Sequence, residues 1–154
     1  MAFDRKSAEE EFDNFLMNMD DQLDWLSEKA EEHGIELSVQ LDDLPKLEKL
    51  FDLLSSGQNK DYVLGLVVTF ARYLGEIVRE NYGGKWTLPL DDDKNVNFNT
   101  PVIVGHTPIE GLEFAPLSVM RAYALRRKPG TLQRAVEAQV DPKPVDLSGL
   151  AEEE

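Results

Sequence analysis

From Asn59 to Tyr82 the chain is apolar on almost every face a helix would have. Val63, Leu64, Leu66, Val67, Val68, Phe70, Leu74, Ile77 and Val78 leave only a narrow polar strip. A helix of that kind must be covered on most sides, so the remaining segments have to wrap around it. Asn59 or Asp61 is expected to cap it, and Asn81-Tyr82-Gly83-Gly84 to end it. Gly65 and Gly75 inside it each cost about 1 kcal/mol relative to Ala, so a close neighbour is expected at both. The longest apolar run, Tyr62 to Ala71, is interrupted by Arg72 and Glu76, short of the ~20 residues a bilayer span needs. The N-terminal residues lack the apolar run of a signal peptide. A cytoplasmic protein away from the membrane is expected.

Periodicity places the other elements. Phe12, Phe15, Leu16, Met19, Leu23, Leu26 and Ala30 recur at spacings of three and four, which predicts one long amphipathic helix from Ser7 to Glu32. Ser7 and Glu10 form its capping box, His33 complements the dipole of its last turn, and Gly34 takes the left-handed position after it. A second helix starts at Asp43 or Leu44, with Asp43 as N-cap and Pro45 near the first turn. It buries Leu47, Leu50, Phe51 and Leu54 and ends at Ser55-Ser56-Gly57. The pattern then changes after Gly84. Lys85 to Pro89 alternates with period two, Asp91 to Asn95 reads as a polar turn, and Val96 to Phe98 as a return strand. Thr100 to Gly105 is β-branched, and Leu112 to Phe114 is a fourth short piece. Helices follow over Pro116–Arg127 and Leu132–Val140, separated by Pro129-Gly130. The expected fold is α+β: three N-terminal helices, a small antiparallel sheet of three to four strands, then one or two C-terminal helices. The 154 residues suit a single domain over 1–140, followed by an acidic tail over 141–154.

Charge narrows the function classes. The chain carries 30 acidic and 16 basic residues, a net charge of −14. Residues 1–55 hold 16 acids and 5 bases, whereas residues 116–140 hold 1 acid and 5 bases. Such acidity disfavours nucleic acid and anionic membranes, which need clustered Lys and Arg. The acidic front, represented by Asp13, Asp20, Asp21, Asp24 and Glu28, suits a docking surface for a basic protein, where charge raises on-rate and specificity. The basic block of Arg121, Arg126, Arg127, Lys128 and Arg134 is expected to neutralise the acidic first helix within the chain. The leading reading is a non-catalytic interaction domain, with an immunity or inhibitor protein covering a basic toxin as its concrete form.

Catalytic constellations are sparse. There is no cysteine, which removes disulfides, thiolate metal sites and cysteine nucleophiles, and two histidines cannot build a His-rich metal centre. No Gly-x-Ser-x-Gly elbow is present. Asp91, Asp93, Asn95 and Asn97 carry the spacing of a calcium loop, but Val96 and Val102 stand where such a loop needs Gly and Glu. Gly83-Gly84-Lys85 lacks phosphate-loop spacing. Neither a metal nor a cofactor is expected. The alternative function is a small-ligand or enzymatic pocket between the 60–82 helix and the sheet, lined by Tyr73, Glu76, Trp86 and His106. Glu76 and His106 would be its acid–base candidates. The plainer expectation for Glu76 is an ion pair with Arg72, one helical turn away.

Tyr73-Leu74-Gly75-Glu76, followed by Asn81-Tyr82-Gly83-Gly84-Lys85-Trp86, resembles the core of a bacterial family of small domains of uncharacterised function. The resemblance extends to Pro101-Val102-Ile103-Val104-Gly105 and Pro116-Leu117-Ser118, roughly residues 60–128. It implies a helix running through a glycine turn into a strand that begins near Trp, and it implies no particular chemistry.

Overall fold

The computed structural model describes residues 3–140. They form α1 (Arg5–Met17), α2 (Met19–Glu32), α3 (Asp43–Ser55), α4 (Lys60–Tyr82), β1 (Lys85–Thr87), β2 (Val102–Val104), α5 (Pro116–Arg126) and α6 (Thr131–Val140). The acidic tail expected over 141–154 lies outside the described residues. Helix α4 is the axis, as its composition demands: Phe70, Ala71, Leu74, Ile77 and Val78 have no exposed surface. Helices α2, α3 and α5 pack on it, and α6 closes over α3 and α5. Asn59 caps α4 through its side chain, which accepts from the Tyr62 N–H at 2.9 Å.

The fold is mostly helical, which corrects the expected α+β architecture. Four helices precede the sheet, and among the described residues that sheet has two antiparallel strands, paired Lys85 with Val104, Trp86 with Ile103 and Thr87 with Val102. Phe114 adds only an isolated bridge to Ile103. The return strand expected at Val96 to Phe98 is replaced by turns because short polar side chains capture the backbone there. Asp92 accepts from the Lys94 N–H, Asn95 accepts from the Asn97 N–H, and both Asn95 and Asn97 donate to Glu113. Val96 is left 94% exposed.

The first helix is also two helices. Asn18 breaks it: its side-chain amide donates to the Asn14 carbonyl at 2.9 Å, closing α1, and α2 starts at the next residue. The apolar stripe runs across the break, which is why spacing alone reads as continuous. The start of α1 moves as well. Asp4 is the N-cap, accepting from the N–H groups of Lys6 and Ser7, and the Ser7 hydroxyl donates to it. The end of α2 follows expectation. Gly34, at φ +71°, and Ile35 return their N–H groups to Glu31 and Ala30, a Schellman closure.

The two helix glycines of α4 differ. A Cβ at Gly75 would overlap the six-membered ring of Trp86, so the strand can lie on the helix only because Gly is there. A Cβ at Gly65 would meet nothing within 4 Å, so the neighbour expected there is absent.

Candidate functional site

Of the four residues expected to share a pocket, the structure brings Glu76 and Trp86 together and gives Tyr73 and His106 other partners. Trp86, seated on Gly75, donates its indole N–H to Glu76 Oε2 at 2.9 Å, and Arg79 Nη1 donates to both Glu76 oxygens at 3.0 and 2.9 Å. Glu76 is thereby paired with Arg79 and not with Arg72. Tyr73 points the other way and donates its hydroxyl to Asp43 Oδ2 at 2.6 Å. His106 is 4% exposed and its Nε2 meets Gln139 Oε1 at 3.0 Å. Its Nδ1 is buried and has no hydrogen-bond partner among the described residues. None of the four lines any of the clefts described below.

Asp43 is a buried hub, not the helix cap its position suggests. Its carboxylate is fully buried and Oδ2 accepts from the N–H groups of Ser38 and Val39, both at 2.8 Å, as well as from Tyr73. Val39 is held at φ +57°, a conformation that β-branched residues rarely adopt, with Asn81 donating to its carbonyl. Burial and the adjoining Asp43 push the Tyr73 phenol well above its ordinary range. Glu48 has a matching role on the other side of α3. Its carboxylate accepts from the N–H groups of Gly130 and Leu132 at 2.9 and 3.0 Å, capping α6. Sequence spacing does not signal the Tyr73 contact of Asp43 or the α6 contacts of Glu48, which join residues distant in the chain, whereas Ser38 and Val39 lie only five and four residues before Asp43.

The acidic residues singled out from the sequence are all exposed. The break at Asn18 divides them. Asp20, Asp21, Asp24 and Glu28 share α2, whereas Asp13 sits on α1 and borders a groove with Thr87 and Leu88. Among the described residues, none of the five has a cation within ion-pair distance. Among the described residues the expected internal neutralisation is not formed: of the basic block only Arg127 pairs there, with Asp52 of α3 at 3.0 Å. Asp52 also accepts from Tyr123, whose phenol is pushed up by burial and by that carboxylate.

The largest described cleft lies between α2 and the first half of α4, with a volume of about 550 Å³. The next described clefts are about 240 Å³ or smaller. Trp25 and Tyr62 form its walls, Gly65 opens it, and Gln22, Thr69 and Arg72 lie along its floor. Arg72 is 9% exposed. Its Nε donates to the Phe15 carbonyl at 3.2 Å, one of the helix-end carbonyls of α1, and its guanidinium lies 4.4 Å from the Phe15 ring centroid. Burial lowers its affinity for a proton, as expected of a desolvated cation.

No family model, curated protein or solved structure matches this chain. The site is therefore read from its own chemistry. Among the described residues no helix is long and apolar enough to cross a membrane, and no cluster of three metal-ligating side chains is present.

Proposed function

We propose that the protein is a non-catalytic interaction domain that binds a basic protein partner through the acidic face of α2, in the manner of an immunity or inhibitor protein acting in the cytoplasm. The observation that carries this reading is the uncompensated charge of that face. Asp20 and Asp21 lie in the first turn, where the helix dipole favours them. Asp24 and Glu28 lie beyond it, stacked at a four-residue spacing that makes like charges repel. Among the described residues, Lys29 of α2 pairs with Glu32, and of the basic block only Arg127 pairs, with Asp52 of α3, so none of these cations is within ion-pair distance of the four acids. A cationic surface laid on α2 would remove that repulsion and be steered to it from a distance.

The test compares the native chain with the Asp20→Lys, Asp21→Lys, Asp24→Lys variant as bait in host extract, eluted by a salt gradient. The expected result is a stoichiometric basic protein held by the native chain, released at moderate salt and lost by the variant. Equal retention by both baits would remove the acidic face from the interaction.

A further inference from the structure

We propose that the α2–α4 cleft is a binding site for a small organic monocarboxylate with an apolar, preferably aromatic, body. This site shares Asp21 with the partner-binding face of α2 but does not rest on that reading. Three observations converge on it. First, Arg72 is nine-tenths buried and, among the described residues, has no carboxylate partner. Its Nε is committed to Phe15, while among the described residues Nη1 and Nη2 make no hydrogen bond and neither is sealed from solvent. A guanidinium taken out of water this far is normally paired, because desolvating an ion is costly and an opposite charge offsets it. The unused edge of the fork is shaped for the two oxygens of a carboxylate.

Second, the floor beside Arg72 offers further donors. Thr69 donates its hydroxyl to Gln22 Oε1 at 2.6 Å, and among the described residues the Gln22 amide nitrogen makes no hydrogen bond. The Trp25 indole N–H makes no hydrogen bond among the described residues. Lys29 lies 5.9 Å from the centroid of the Trp25 ring but is paired with Glu32 at 3.2 Å, so Arg72 is the cation that lines the cleft.

Third, the walls fit a body and not merely an ion. Trp25, Tyr62, Leu66 and Val68 are apolar surfaces, and about 550 Å³ lies within the roughly 300–1,000 Å³ of small-molecule sites. Gly65 lines the opening, and a Cβ there would meet only open space. In a helix interior that residue costs stability, and here it relieves no clash. Asp21 at the rim and the chain's overall acidity select against dianions such as phosphate, which makes a monocarboxylate the favoured anion.

The experiment titrates the ¹⁵N-labelled full chain with 3-phenylpropionate, with 3-phenylpropionamide and with inorganic phosphate. The readout is the Trp25 indole cross-peak, told apart from that of Trp86 by Trp25→Phe. The carboxylate is expected to shift the Trp25 peak saturably, and the neutral amide and phosphate to bind at least about tenfold more weakly. Arg72→Gln should weaken the carboxylate by a similar factor. Gly65→Leu, whose side chain grows into open space, should abolish the shift while leaving the rest of the spectrum native. The proposal is overturned by any of three results: no saturable shift up to about 10 mM carboxylate, amide or phosphate binding equal to the carboxylate, or undiminished binding in a natively folded Gly65→Leu.

Discussion

The Tyr73 hydroxyl donates to the fully buried Asp43 carboxylate at 2.6 Å, joining the central helix to the loop before α3. That carboxylate also holds the two N–H groups that keep Val39 in its left-handed conformation. A buried acceptor that serves several donors cannot be removed without leaving each of them unpaired. Asp43→Ala is therefore expected to destabilise the fold by about 3 kcal/mol, and Tyr73→Phe by about 1 kcal/mol. Urea denaturation of the two variants and of the double variant should give less than the sum, because both act on one network.

The two helix glycines should respond in opposite directions. Gly65→Ala adds a methyl into open space and gains helix propensity, so a stabilisation approaching 1 kcal/mol is expected. Gly75→Ala drives a methyl into the Trp86 ring, where neither backbone nor indole can yield, so a loss of about 2–3 kcal/mol is expected. Thermal melts of the pair decide this, and the same sign for both would contradict the packing of Trp86 on α4.

Glu48 ties the start of α6 to α3. Glu48→Ala leaves the N–H groups of Gly130 and Leu132 without an acceptor and should cost about 1–3 kcal/mol. Native-state hydrogen exchange should show the loss concentrated in α6. A uniform rise in exchange across α4 would mean that α6 is not a separately opening unit.

Alkaline pH should unfold the protein cooperatively. The Tyr73 and Tyr123 phenols are both raised in the folded state, by burial first and by the neighbouring Asp43 and Asp52 second. In the unfolded chain a phenol ionises near pH 10. A raised folded value means that the stability these groups contribute is intact below about pH 10 and is lost as pH rises through the folded range. Phenolate absorbance from these two residues should therefore appear together with the loss of circular dichroism. The double variant Tyr73→Phe, Tyr123→Phe should lack that phase, and two phenols titrating fully while the fold stays intact would contradict the buried geometry.

Helix α4, its Asn59 cap, the Gly34 closure of α2 and the positions of α3, α5 and α6 were legible in the sequence. Each rests on spacing or capping among residues a few positions apart, and local geometry settles such relationships. The break at Asn18 was not legible, because the apolar stripe is in phase on both sides of it. It depends on Asn18 closing α1 and on Arg72 of α4 taking the Phe15 carbonyl. The turns at 92–97 were missed for a related reason. Strand spacing was present, but side-chain capture of the backbone and the Glu113 acceptor prevailed.

The candidate sites divide along the same line. Composition and charge order alone determined that the chain is acidic, that its acids cluster at the front, and that one helix must lie at the centre. Only the tertiary structure decided which charges are satisfied. Glu76 pairs with Arg79 and Trp86, and among the described residues Arg72 has no carboxylate partner. Among the described residues the basic block pairs only with α3, and Asp20, Asp21, Asp24 and Glu28 of α2 have no cation within ion-pair distance. Pairing depends on which side chains the packed helices bring within about 3 Å of one another, and a linear order of residues does not contain that distance.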